Sequence, residues 1–63
     1  MSAAVDPLDR ASELLARLEQ RRAELEATSD PDTAVGLLGE ITELAKEAHA
    51  EIEKARREAD AQS

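Results

Sequence analysis

The sequence contains no cysteine and no aromatic residue, and it has only two glycines and two prolines. Without cysteine there is no disulfide framework, no thiolate zinc site and no cysteine nucleophile. Nucleic-acid binding requires clustered positive charge and rings on which bases stack, whereas this chain has eight basic residues against fifteen acidic ones. The net charge of -7 also disfavours an anionic membrane surface. We therefore expect no direct contact with nucleic acid or with membranes.

Long apolar runs are also missing, since no stretch approaches the roughly 20 residues that cross a bilayer. The first residues lack the pattern of a signal peptide, and Ser2 stands where a myristoylated chain carries glycine. We therefore predict a cytoplasmic protein. A chain of 63 residues forms one small domain, 1–63, and buries too little surface to be comfortably stable alone. Its size thus predicts that it needs a partner.

Two Asp-Pro pairs, Asp6-Pro7 and Asp30-Pro31, mark the starts of two helices. In each pair the aspartate caps the helix, and the proline takes the first helical position, where its missing N–H costs nothing. They predict helices over about residues 7–27 and about 31–60, with frayed ends at about 1–5 and 61–63. A connection of about three residues makes the helices fold back on each other. The predicted fold is all-α: an antiparallel, coiled-coil-like hairpin that completes a bundle by oligomerisation.

The second predicted helix carries an apolar repeat with alternating spacings of four and three residues, which is typical of a helix face that meets another helix. Leu37 and Leu44 lie beside this repeat and widen it. The inward positions of the repeat are Ala34, Leu38, Ile41, Ala45, Ala48, Ile52, Ala55 and Ala59. The residues predicted to form the interface are Leu38, Ile41, Leu44, Ala45, Ala48, Ile52, Ala55 and Ala59.

The two predicted helices differ in length, at about 31 Å and about 45 Å. Nothing in the first helix therefore covers Ala55 and Ala59. The last two turns are either a solvated extension or a contact with a second copy or with another protein. We favour the contact, because alanines let helices approach closely.

Three residues depart from the helical patterns. Arg22 stands where an apolar residue is expected in the first helix. Either its aliphatic stem covers the core edge while the guanidinium reaches water, or it forms an interhelical pair. Gly36 and Gly39 lie near the start of the second helix, either as tolerated exposed positions or as flat spots for another backbone, and we favour tolerance.

The residues that could carry catalysis form no recognisable constellation. His49 is the sole histidine, and Lys46 occupies the position where a di-iron helical motif needs glutamate. The serines and threonines lie near caps, loops and termini, without a histidine placed as a base. We therefore predict no catalytic, metal-binding or cofactor-binding residues and no enzymatic activity of the chain itself.

About half of the chain resembles a known family. Leu25-Glu26 precedes the connection, and the second helix then reads Ala34-Val35, Leu38, Glu40 and Leu44-Ala45-Lys46. This order is similar to that of the small subunit of bacterial exodeoxyribonuclease VII, a short acidic helical hairpin. The sequence departs from that family at Ile41, where the family has glycine, and at Leu38, where it has an aromatic residue.

The resemblance implies a non-catalytic subunit that packs, in several copies, on a coiled-coil segment of a large nuclease subunit. The residues it would use are Leu38, Ile41, Leu44, Ala48 and Ile52. The alternative is a self-contained homo-oligomer, a dimer or tetramer of hairpins that acts as an interaction or regulatory module. A self-contained bundle predicts that Leu14, Leu37 and Leu44 are covered in the oligomer, whereas an obligate subunit leaves an apolar patch exposed.

Overall fold

A computed structural model describes residues 6–62, which form two α-helices that pack against each other. Helix α1 is Pro7–Ala27 and helix α2 is Pro31–Gln62. The predicted all-α hairpin is therefore confirmed. α2 continues through residues 61 and 62, two residues beyond its predicted end. Residues 1–5 and 63, where fraying was predicted, lie outside the described residues.

Both helices begin at the predicted aspartate caps. The Asp6 carboxylate accepts a hydrogen bond from the Leu8 N–H at 2.8 Å. The Asp30 carboxylate accepts two, from the Thr33 N–H at 3.0 Å and from the Thr33 hydroxyl at 2.6 Å. These bonds satisfy N–H groups that have no partner within the first turn of a helix.

The connection between the helices is held by local hydrogen bonds. Thr28 follows α1 in an extended conformation, and its N–H donates to the Leu25 carbonyl at 3.4 Å. The Thr28 hydroxyl then accepts a hydrogen bond from the Asp30 N–H at 3.2 Å. The end of α1 and the cap of α2 thus share one short, bonded segment.

The helices meet along an intrachain seam with alternating spacings of three and four residues, the periodicity of a coiled coil. Its fully buried members are Ala11 and Leu14 of α1 and Leu37 and Ala48 of α2. Its half-buried apolar members are Leu18, Leu25, Ala34, Ile41, Leu44 and Ala55.

The seam includes only half of the α2 positions that were predicted to point inward, namely Ala34, Ile41, Ala48 and Ala55. Leu38, Ala45, Ile52 and Ala59 were predicted to point inward, but all four are exposed. Leu37 is buried and Leu44 half-buried in their place. Packing two leucines at these levels buries more apolar surface than packing Leu38 and Ala45 would, and this difference selects the rotation of α2.

The hairpin is one helix thick, with dimensions of 49 × 23 × 14 Å. Its radius of gyration is 14.9 Å, against about 10.6 Å for a compact domain of this length. A single layer has an interior only along the line where its two helices touch. This geometry explains why so few side chains are fully buried.

Candidate functional site

A row of large apolar side chains lies in solvent on one side of the hairpin. We call it the apolar edge and define it as Leu8 and Leu15 of α1 with Leu38, Ala45 and Ile52 of α2. The exposed fraction is 59% for Leu8, 46% for Leu15, 52% for Leu38 and 39% for Ile52. The members recur at intervals of seven residues in each helix, so they form a straight row beside the seam.

The two halves of the apolar edge lie on the same side of the hairpin. Residues two positions apart in a helix point about 200° apart, so Leu15 and Arg17 flank the seam on opposite sides. The same holds for Leu38 and Glu40. Because Arg17 and Glu40 line one shared cleft, Leu15 and Leu38 share the opposite side. The apolar edge is therefore one surface built by both helices.

The level of each residue along the hairpin follows from an ion pair between the helices, from Arg21 Nε to a Glu40 carboxylate oxygen at 3.6 Å. Two antiparallel helices have the same rise per residue, so the numbers of facing residues have a nearly constant sum, which the pair of residues 21 and 40 sets at about 61. Leu15 then lies beside Ala45, and Leu8 lies beside Ile52.

At the next level toward the connection, Arg22 lies beside Leu38. Consecutive levels are separated by about 10 Å, the rise of seven helical residues. Arg22 therefore continues the α1 half of the apolar edge, with the same spacing and a charged end group.

Among residues 6–62, Arg22 makes no ion pair with the other helix, and its charge is instead paired within α1. Its guanidinium contacts Glu19 at 3.0 Å and Glu26 at 2.9 Å, both in its own helix. These hydrogen bonds and charges raise the pKa of the Arg22 guanidinium above its ordinary value, the Glu19 hydrogen bond contributing most. The side chain is 54% exposed, so its aliphatic stem lies open at the apolar edge. Arg21, and not Arg22, provides the contact between the helices.

The opposite side of the hairpin is a charged cleft of about 630 Å³. Its lining residues are Arg17, Arg21, Gly39, Glu40, Glu43 and Leu44. Arg21 pairs with Glu24 at 2.7 Å as well as with Glu40. Basic groups on α1 thus face acidic groups on α2, and the cleft is neutralised largely by the hairpin itself.

The predicted interface residues fall into two groups. Leu38, Ala45, Ile52 and Ala59 are exposed and available to another molecule. The remaining four, Ile41, Leu44, Ala48 and Ala55, belong to the intrachain seam.

Sequence reasoning missed the contribution of α1, where Leu8 and Leu15 complete the apolar edge. Their spacing of seven residues, continued by Arg22, was the signal that could have identified them. Read along α1 alone, this spacing does not distinguish the two leucines from the core residues of the same helix.

The last two turns of α2, residues 56–62, extend past the first residue of α1. Ala55 is half-buried at the end of the seam, whereas Ala59, seven residues after Ile52, is exposed. The prediction that both alanines lack a cover within the chain therefore holds for Ala59 but not for Ala55. This extension continues the line of Leu38, Ala45 and Ile52.

Within residues 6–62, no three histidine or acidic side chains form a cluster that could hold a metal ion. His49 is exposed on α2. Within the same range, neither helix is long and apolar enough to cross a membrane.

The accessible surface of the chain is 4890 Å². A compact monomer of 6.8 kDa exposes about 4000 Å². The hairpin thus exposes about 900 Å² more than a compact fold of its mass.

Comparison with models of protein families, with curated proteins and with solved structures gives no match to this chain. The functional assignment therefore rests on the fold and on the surfaces of the hairpin.

Proposed function

We propose that this chain is a non-catalytic assembly subunit that acts by docking its apolar edge on another α-helical surface. The observation that carries the proposal is the apolar edge, where four large exposed side chains from the two helices lie on one side of the hairpin: Leu8, Leu15, Leu38 and Ile52. Isolated apolar side chains are common on protein surfaces, whereas a contiguous row marks an interaction site. The seven-residue spacing favours a helical partner, whose own ridges repeat at the same interval.

The chemistry of the titratable groups supports the non-catalytic part of the proposal. Displaced pKa values are resolved for Arg22 and for Asp30. Arg22 is held by glutamates of its own helix, and Asp30 caps α2. Both shifts thus have a local structural cause on an exposed surface, unlike the desolvated groups of a catalytic cleft.

The resemblance to the exodeoxyribonuclease VII small subunit supplies one form of this proposal, in which the partner is a coiled-coil segment of a large nuclease subunit. On that form the large subunit makes all contacts with nucleic acid. The surface available for it is the apolar edge, which includes Leu38 and Ile52 but not the buried Ala48.

A self-contained oligomer is the other form. The criterion of covered Leu14 and Leu37 does not separate the two forms, because both residues are already buried within the hairpin. The separating feature is the apolar edge, which an oligomer of identical chains would cover and a free subunit would leave open.

The test compares three tagged versions of the chain: the wild type, an edge variant with Leu38→Asp and Ile52→Asp, and a control with Ala16→Asp and Ala50→Asp. The control adds the same charge at exposed alanines outside the apolar edge. Assembly is read by sedimentation and by capture of binding proteins from host lysate. We expect the wild type and the control to assemble, and the edge variant to remain a monomer without a partner, because each aspartate would have to be desolvated.

Circular dichroism of each version checks that the hairpin is folded before assembly is compared. Ile41 and Leu44 are unsuitable positions for this test, because both are half-buried in the seam and an aspartate there would break the hairpin. Equal assembly of the wild type and a folded edge variant would contradict the proposal.

A further inference from the structure

We propose that the occupant of the apolar edge is the apolar edge of a second copy of this chain, and that the two copies lie antiparallel. Their connecting segments, residues 28–30, then lie at opposite ends of a four-helix dimer. This inference rests on the proposed function, because it names the partner at the surface through which the chain is proposed to act.

The surface of the hairpin has the size that such a dimer requires. Stable interfaces bury about 800 Å² on each partner. The chain exposes about 900 Å² beyond a compact fold of its mass. A contact of this standard size covers about as much surface as one hairpin exposes in excess of a compact monomer of its mass.

The α2 half of the apolar edge is symmetric about its central residue. It reads leucine, alanine, isoleucine at equal intervals of seven residues, so a large side chain lies on each side of the small Ala45. A two-fold axis through Ala45, perpendicular to the helix, sets Leu38 of one copy on Ile52 of the other. The two Ala45 side chains then meet, and their small size lets the two α2 helices approach closely. A surface that matches itself in this way is what a two-fold dimer requires.

The α1 half fits the same axis. Leu15 lies beside Ala45, so the axis brings the two Leu15 side chains together. Leu8 of one copy then meets Arg22 of the other, whose exposed stem can cover it while Glu19 and Glu26 hold the guanidinium.

In the reverse arrangement, both connections lie at one end, and the Arg22 side chains of the two copies lie at the same level along the dimer. Each Arg22 carries the carboxylates of Glu19 and Glu26 with it, so that arrangement would gather two net-negative clusters at one end of the dimer, and their repulsion disfavours it. The antiparallel dimer instead places one Arg22 at each end of the interface.

The turns of α2 that extend past α1 fit the same axis. An axis at Ala45 sets residue 59 of one copy beside residue 31 of the other. Two antiparallel copies related about Ala45 overlap along nearly their whole length. The turns that extend past α1 then run beside the first turns of the second copy's α2, and Ala59 gains a cover that its own chain does not supply.

The test uses the absence of cysteine from the sequence. An Ala45→Cys variant places its one thiol at the two-fold axis, next to the same thiol of the second copy. The control, Leu38→Cys, places an exposed thiol on the same edge, but the two copies of residue 38 lie about 21 Å apart, the rise of fourteen helical residues. Such a separation cannot be bridged by a disulfide.

On mild oxidation we expect Ala45→Cys to form a covalent dimer about 100-fold faster than Leu38→Cys at about 10 µM protein, because paired thiols have an effective concentration on the order of millimolar. The wild type should sediment at twice its mass of 6.8 kDa.

Three results would overturn the inference. The first is a monomeric wild type at about 100 µM, a concentration at which a stable interface is saturated. The second is a dimer in which both cysteine variants cross-link at the same rate, and the third is a dimer in which Leu38→Cys cross-links faster. If the wild type is a monomer that captures a host protein, and the edge variant does not capture that protein, this inference fails while the proposed function stands. If the edge variant has the same sedimented mass as the wild type and captures the same host proteins, both the inferred dimer and the proposed function fail.

Discussion

At the scale of single residues, Asp30 shows how one side chain sets the start of α2. Its carboxylate accepts hydrogen bonds from the hydroxyl and the N–H of Thr33, and these bonds, the hydroxyl first, hold the pKa of Asp30 below its usual value of 3.8. A carboxyl group whose pKa falls on folding stabilises the folded state when it is ionised. That contribution is complete above the unfolded pKa and is lost as the pH falls through the folded pKa.

We therefore predict that Thr33→Val lowers the melting temperature at neutral pH, and that its difference from the wild type shrinks as the pH falls below about 4. In that range the Asp30 carboxylate takes up a proton in both proteins, and the hydroxyl loses its charged acceptor. Thermal unfolding followed by circular dichroism measures the difference.

Thr42→Val is the matched control for this prediction. The Thr42 hydroxyl donates to the Leu38 carbonyl at 2.9 Å, an acceptor that does not titrate. The effect of Thr42→Val on the melting temperature should be the same at each pH. If Thr33→Val behaves identically to this control, the assigned cause of the pKa shift is wrong.

At the scale of the elements, the starts of both helices could be predicted from the sequence to the residue, because Asp6-Pro7 and Asp30-Pro31 carry their signal within a few adjacent positions. The rotation of α2 could not. Leu37 and Leu38 are adjacent, and both belong to apolar rows with a spacing of seven residues, so each row could have faced α1. The choice depends on which row packs better on Leu14 and Leu18, which is a property of two helices together.

The same limit applies to the candidate site. Leu38, Ala45 and Ile52 were predicted as interface residues from the repeat in α2, and the structure leaves them exposed. Leu8 and Leu15 were not predicted as interface residues, because a pattern read along α1 does not show which of its leucines the second helix covers. Only the antiparallel pairing brings the two rows onto one side.

The two glycines of α2 lead to a prediction about the stability of that helix. An added Cβ at Gly36 or Gly39 meets no atom within 4 Å, and both residues have ordinary helical backbone angles. We predict that Gly36→Ala and Gly39→Ala each raise the free energy of unfolding by about 0.5 to 1 kcal/mol, since alanine loses less backbone entropy in a helix. Urea titration followed by circular dichroism measures the change.

Sedimentation of the two alanine variants tests the alternative that these glycines admit another backbone. On our interpretation the variants assemble as the wild type does, because both glycines lie away from the apolar edge. Loss of assembly in either variant would instead show that a partner approaches α2 at that glycine.

At the scale of the whole molecule, the shape of the hairpin links stability to association. Among residues 6–62, four fully buried residues hold the two helices together, and four of the five exposed large apolar side chains, all but Val35, belong to the apolar edge. A partner that covers this edge binds the folded chain and not the unfolded one. Association therefore raises stability by mass action.

The corresponding prediction is that the melting temperature of the wild type rises with protein concentration between about 1 and about 100 µM. The folded edge variant, with Leu38→Asp and Ile52→Asp, should melt at a lower temperature that does not depend on concentration. Differential scanning calorimetry at several concentrations measures both. A concentration-independent melting temperature for the wild type would show that the hairpin is stable without association.

The thickness of 14 Å has a consequence for hydrogen exchange. Amide exchange in a helix depends on the free energy needed to open its hydrogen bonds, and a hairpin this thin has little packing to oppose that opening. Association of two chains would therefore slow exchange most in the parts of both helices that carry the apolar edge, because opening there also breaks contacts with the second chain. The pattern of deuterium uptake would therefore show which surface of the hairpin is buried on association.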